Sequence, residues 1–213
     1  MMIYPRERAI ETKVKDDALV KQRREEIIRA ASQVFTRKGY HRATIRDICE
    51  ASGLGPGTLY NYIKKKEDIL YLIYNELTLM LTQCLMETVQ DAKKDPLQQF
   101  HEALEKTIEI IWIHQDLILL MYQETASLDR ESMHTILKRE SDYVSIWDKL
   151  LERCEKLGVI PKRNRLDANI IGFLLAFIPL RRWNMRNKFR KEEIKSGIID
   201  HVVRSIGISK SKR

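Results

Sequence analysis

The sequence predicts an all-α protein of about nine helices, and three observations carry the prediction. Only 8 glycines and 5 prolines are spread over 213 residues, and long stretches hold neither, which a turn-rich β fold does not tolerate. Apolar residues recur three and four apart through most of the chain, the period of a helix with one buried face. Threonine or aspartate stands ahead of many of these stretches and glycine behind several, as helix caps require. No convincing strand, internal repeat or low-complexity segment is present.

Taken in order, residues 1–19 have no clear period and read as a flexible basic arm. From about Leu19 to Lys38, the residues Ile27, Ala30, Ala31, Val34 and Phe35 share a helical face, and Gly39 stops the helix as a left-handed residue. Thr44, with Asp47 three residues on, forms an acidic capping box for a second, short helix whose Ile45, Ile48 and Cys49 face inward. Ala51 and Gly53 permit a tight turn, and Pro56 suits the first turn of a third helix with Leu59 and Ile63 on its apolar side. Lys64-Lys65-Lys66 leads into a fourth helix from about Glu67 to Gln90. Asp95-Pro96 opens a fifth, through about His114; Asp116 caps a sixth, through about Ser127; Asp129 caps a seventh that ends at Gly158 and Pro161. An eighth spans about Leu166 to Asn187 and a ninth about Lys191 to Ile206, before a polar, frayed tail at Ser209–Arg213. The division is an arm (1–19), a three-helix domain (20–66) and a larger helical domain (67–213).

Charge is unevenly placed. Residues 1–66 carry 15 Lys/Arg against 8 Asp/Glu, residues 67–161 carry 9 against 18, and residues 162–213 carry 14 against 4, within a net of +8. The basic first third suits a phosphate-bearing partner, although a solvated surface gives the same balance. Cys49, Cys84 and Cys154 lie far apart, so neither a zinc site nor a disulfide framework is expected, and a reducing cytoplasm fits. The apolar run Ala168 to Leu180 is too short to span a bilayer, and no membrane partner is expected. His101-Glu102-Ala103-Leu104-Glu105 lacks the second histidine of a zinc-protease helix, and no glycine-rich phosphate loop occurs. No catalytic residue, metal ligand or cofactor is therefore assigned, and an enzyme is not expected.

Residues 42–62 hold the most specific signal: a short helix, a glycine turn, and a second short helix ending in two tyrosines. That is the layout of a helix-turn-helix, whose second helix enters the DNA major groove. Tyr60 and Tyr62 fall on opposite sides of their helix by spacing, so both can be partly exposed, with ordinary packing as the plain alternative. The order Phe35, Gly39-Tyr40, Thr44-Ile45, Ile48-Cys49, Ala51, Gly53-Leu54, Gly57 through Ile63, and Lys66 through Leu70 resembles the DNA-binding domain of the TetR repressor family over about Arg23 to Tyr74. Three positions depart: Ile63 replaces an aromatic, Cys49 a small alanine, and Gly55-Pro56-Gly57 stands where a serine or threonine cap is common. The resemblance implies that Thr44, Tyr60, Tyr62 and Lys66 grip phosphates. It implies that Gly55, Pro56, Gly57, Thr58 and Asn61 face the groove. Arg46 and Asn61 have the geometry for direct base readout, and Lys21, Arg23 and Arg24 can add phosphate or minor-groove contacts. On this reading Asn61→Ala changes base preference, whereas Tyr62→Ala and Lys66→Ala weaken binding to every sequence.

The resemblance also implies a homodimer through the last two helices, bound to a palindromic double-stranded operator, with repression as the default. Ile170, Ile171, Phe173, Leu174, Phe177 and Ile178, with Ile194, Ile198, Ile199, Val202 and Ile206, supply apolar surface for that bundle and for the intrachain core. Trp112, Met121, Tyr122, Tyr143, Trp147, Phe173 and Phe177 read either as solid core or, as the family implies, as the lining of an effector cavity. Arg181, Arg182, Trp183 and Arg186 follow a greasy helix with Pro179. Arginine forks suit phosphate and an adenine can stack on Trp183, which points to a small effector such as a fatty acyl-CoA or another CoA thioester. A solvated basic helix end is the plain alternative. Two other functions stay open: a drug-responsive efflux regulator, with Glu124 or Asp142 as counter-charge, and a ligand-independent DNA-binding interaction protein.

Overall fold

Several helix starts fall where capping chemistry puts them. The computed structural model describes residues 8, 10–91 and 93–208; the remainder of the expected arm and the tail Ser209–Arg213 lie outside the described residues. Among the described residues there are nine α-helices and no strand: α1 (Asp17–Lys38), α2 (Ile45–Ser52), α3 (Pro56–Leu59), α4 (Lys66–Val89), α5 (Pro96–Ile113), α6 (Gln115–Glu124), α7 (Arg130–Lys156), α8 (Asp167–Met185) and α9 (Lys191–Ser205), with a 3₁₀ turn at Thr125–Ser127. Asp95 caps α5 by accepting the Gln98 amide, and Asp129 accepts the Ser132 amide at the start of α7. Gly39 has the expected positive φ of 79°, but its ψ of 150° lies outside the left-handed helical well. Asp116 does not cap α6: the helix starts at Gln115, and the carboxylate, now in the first turn, pairs with Arg182 of α8.

The chain forms two compact units, Met1–Thr78 with Leu119–Arg139, and Leu79–Ile118 with Glu140–Arg213. In the first, α1 to α3 are too short to close a core alone. Ile27, Phe35, Ile48, Leu59 and Ile63 are buried together with Ile69, Leu70, Ile73 and Tyr74 from the first half of α4, and the Tyr74 hydroxyl donates to the Leu120 carbonyl at 2.9 Å. Hence this unit extends past residue 66. The segment ahead of α1 is attached where it is described: Ile10 is buried and its carbonyl accepts from Arg24 at 2.6 Å.

In the second unit α5, α7, α8 and α9 surround Phe100, Leu104, Ile108, Trp147, Leu151, Ile171, Leu175 and Val202, all buried. Trp147 meets Phe100 edge-on at 5.8 Å, a geometry favoured by the ring quadrupoles. Gln99 is buried and accepts from Arg153 while donating to the Thr88 and Asp91 carbonyls, which satisfies its amide. α4 is long and apolar enough to cross a bilayer by length and composition, but half of its most apolar window is buried inside the protein.

Candidate nucleic-acid interface and effector site

The candidate DNA interface is built from α2, the turn after it, and α3. Thr44 and Asp47 cap α2 reciprocally: the Asp47 amide donates to the Thr44 hydroxyl at 3.2 Å, and the Thr44 amide donates to the Asp47 carboxylate at 2.9 Å. Lys38 donates to the other carboxylate oxygen. That bond first, then those from the Thr44 amide and hydroxyl, hold the Asp47 carboxyl down at about 2. Gly53 ends α2 at φ 72°, ψ 7°, a left-handed conformation that costs glycine little.

α3 is only four residues long, with Pro56 in its first turn and no side-chain cap on Gly55. Leu59 is its buried anchor. Gly55, Pro56, Gly57 and Thr58 are exposed, and a Cβ added at Gly55 or Gly57 would meet nothing within 4 Å. The backbone here can approach base edges closely, with Thr58 and Pro56 as its side chains. Arg46 projects from α2 with its side chain 88% exposed, steadied by Glu50 at 3.1 Å.

The two tyrosines differ. Tyr60 is exposed, but Tyr62 is buried at 5% exposure, contrary to the expectation of two partly exposed rings. A four-residue helix followed by a turn does not preserve the spacing from which that expectation came. Asn61 is half-buried, and its carbonyl accepts from the Lys13 amide at 3.0 Å and the Thr12 hydroxyl at 2.9 Å. Lys66 donates to the carbonyls of Tyr40 at 2.9 Å and Ala43 at 3.0 Å, and lies 4.3 Å from the Tyr40 ring centre. Its ammonium therefore braces the loop between α1 and α2. Of the basic residues on α1, Lys21 is exposed, Arg23 pairs with Glu26 at 2.7 Å, and Arg24 donates to the Ile10 and Tyr62 carbonyls. Lys13, Lys15, Lys64 and Lys65 are exposed near the same end of the unit or on the segment leading into it. The triple-lysine run was visible in the sequence; Lys13 and Lys15 were hidden by the aperiodic segment around them.

The residues expected to meet an effector are divided. Met121 and Tyr122 belong to the first unit, half-buried and exposed respectively. In the second unit Trp147 is fully buried, Tyr143 is half-buried, and Trp112 is half-buried with the Lys191 ammonium 5.8 Å from its ring centre. Phe173, at 63% exposure, and Phe177 project from α8 into solvent. Phe177 also lines a cleft of about 420 Å³ between α8 and α9, with Leu174, Met185, Phe189, Ile194 and Ile198 as apolar walls. Glu193 and His201 are its ionisable members. At the end of α8, Arg181 lies 5.2 Å from the ring centre of Trp183, which is 73% exposed. Arg182 is held by Asp116, and Arg186 is exposed. Glu109 of α5 clamps the start of α9 through Lys191 and Lys195, and those two hydrogen bonds lower its carboxyl below the usual range. Glu124, a candidate counter-charge for cationic drugs, instead pairs with His41 at 3.0 Å and accepts from Ser127 at 2.8 Å. Asp142 is half-buried in the second unit.

Comparison with known proteins gives the family and the fold. The chain is 25% identical over 194 residues to the HTH-type transcriptional regulator HbdR of Aromatoleum sp. (strain CIB), covering 90% of this chain and 84% of that protein. The crystal structure of the transcriptional regulator FadR from Bacillus subtilis in complex with stearoyl-CoA superposes with a TM-score of 0.71 at 20% identity, covering 87% of this chain and 99% of that one. The crystal structure of AibR in complex with isovaleryl coenzyme A and operator DNA gives 0.68 at 20% identity, covering 84% and 97%. At such identities the two structures establish a shared fold. The bacterial regulatory proteins of the tetR family match residues 27–71, and the tetracyclin repressor-like C-terminal domain matches residues 93–206. One of these matches spans the α2–α3 reading head and the other more than half of the chain, and the protein belongs to the TetR family of DNA-binding transcriptional regulators.

Proposed function

We propose that this regulator is a cytoplasmic repressor that binds a palindromic operator as a homodimer through α8 and α9, and that a fatty acyl-CoA or another CoA thioester releases it. The observation that carries the reading is the uncovered apolar row on α8. Ile170, Phe173 and Phe177 are exposed at 45%, 63% and 40%, while Ile171, Leu175 and Ile178 on the opposite side are buried. Large apolar side chains grouped on one helix face mark an interaction surface. A second copy of α8 and α9 covers this row and the adjoining cleft, and gives the assembly two heads for two half-sites.

The effector class is supported by the chemistry at the end of α8 and by the relatives. Arg181 offers a guanidinium beside an exposed indole and Arg186, three residues past that indole, an exposed one, a fit to the phosphates and adenine of coenzyme A. FadR was crystallised with stearoyl-CoA and AibR with isovaleryl coenzyme A. Release requires that the thioester bind a dimer with mismatched heads more tightly than one docked on DNA.

The test is titration of the protein–operator complex, followed by fluorescence anisotropy, with stearoyl-CoA, isovaleryl-CoA, free coenzyme A and stearate. Release by a thioester but not by stearate is expected. No response to either thioester would end the effector reading, and a monomeric mass by light scattering would end the dimer reading.

A further inference from the structure

We propose that the segment ahead of α1, through Arg8 and Ile10–Lys13, is a strap that positions the recognition segment and ties it to the start of α7. One end of the strap is Arg8. Its guanidinium lies 3.1 Å from Asp68 and 3.1 Å from Asp129, donates to the Ser132 hydroxyl, and sits 5.4 Å from the Tyr71 ring centre. Both carboxylates guard a helix start. Asp68 accepts the Lys64 and Lys65 amides ahead of α4, and Asp129 accepts the Ser132 amide of α7. Asp68 is 3% exposed and Arg8 14%, so removing the guanidinium leaves the Asp68 carboxylate buried without its arginine, beside an Asp129 that is 30% exposed. The Lys65 ammonium reaches Asp129 at 3.0 Å, whereas Asp68 takes the Lys65 backbone amide.

The other end meets the recognition segment. α3 stops at Leu59, so the carbonyls that follow have no helix to serve them. The Asn61 carbonyl takes the Thr12 hydroxyl and the Lys13 amide, and the Tyr62 carbonyl takes Arg24. Arg24 also holds the Ile10 carbonyl, and Ile10 is itself buried. Donors from the strap and from one arginine thus set where Asn61 and Tyr62 lie. A displacement at the start of α7 meets Arg8 directly, and Thr12 and Lys13, a few positions on in the sequence, hold the recognition segment. Arg8 acts here as a positioning residue, its charge matched by Asp68 and Asp129.

The test uses the full-length protein with Arg8→Ala, Arg8→Lys, Thr12→Val, and Arg8→Ala with Thr12→Val. Amide hydrogen exchange is followed without DNA, and affinity is followed for an operator selected from random duplex by the parent protein. The affinity arm rests on operator binding, whereas the exchange arm stands without it. Arg8→Ala is expected to speed exchange at Lys13 and Ser132 together while α1 amides near Ile27 keep their protection. Operator affinity is expected to fall about tenfold with an unchanged slope of log affinity on log salt. Arg8→Lys, which keeps the charge without the fork, recovers part of the affinity. Thr12→Val speeds exchange at Lys13, and the double variant is no worse than the weaker single one, since one strap is cut twice. If Arg8→Ala does not fold, Arg8→Lys and Thr12→Val carry the comparison. Unchanged exchange at Lys13 in the Arg8 variants overturns the strap. So does a salt slope reduced by about 0.9 per head, which marks a lost phosphate contact.

Discussion

At Asp47 one carboxylate oxygen takes the Thr44 amide and hydroxyl while the other takes the Lys38 ammonium. The group is thereby held at about 2 rather than 3.8. A carboxyl depressed by folding contributes stability above its unfolded value and loses it as pH falls through the folded one. The melting temperature should therefore drop between about pH 4 and 2 in the parent, and Asp47→Asn should flatten that part of the curve in calorimetry. Lys66 makes a second point at this scale. Its ammonium is enclosed by backbone carbonyls of Tyr40 and Ala43 and by the Tyr40 ring. Lys66→Ala is expected to weaken operator binding by loosening that loop, with the salt slope changed by less than the roughly 0.9 of a lost phosphate contact. The sequence placed Lys66 beside the interface, but it carries no sign of which acceptors a lysine will find.

Among the elements, α8 is apolar almost all round, which one chain cannot bury. Replacing Phe173, the most exposed member of the row Ile170, Phe173 and Phe177, tests what covers it. Phe173→Glu should leave a folded monomer with unchanged far-ultraviolet dichroism, seen by light scattering, and should abolish tight operator binding because a single head reads one half-site. Much of the element plan was legible beforehand, because caps are local: Thr44, Asp95 and Asp129 stand where helices begin, and Gly53 and Gly158 where the chain turns with positive φ. The failures were long-range. Asp116 has the composition of a cap but answers to Arg182, 66 residues away. Tyr62 is buried because α3 ends too soon for helical parity to hold. Arg8 stands in a segment with no period, and its partners lie 60 and 124 residues on.

For the whole molecule, any ligand that binds the folded form alone raises its stability, the proposed effector included. A ligand present at a hundredfold over its dissociation constant stabilises the folded form by about 2.7 kcal/mol. Stearoyl-CoA should accordingly raise the melting temperature by several degrees in differential scanning fluorimetry, and free coenzyme A by less, since it lacks the chain that an apolar cavity takes up. The family and the reading head could be recognised from spaced residues because a helix-turn-helix is contiguous. The surroundings of the candidate effector residues could not be read, because a side chain's neighbours are set by packing; Trp147 and Phe173 looked alike in sequence and stand far apart in exposure. The empty space above Gly55 and Gly57 has an evolutionary corollary. On the DNA docking proposed for this head, a single codon change there would add a hydrogen-bonding group toward the duplex without disturbing any neighbour, so descendants of this gene would acquire new promoters one mutation at a time, by gaining a letter of address rather than by rebuilding the reader.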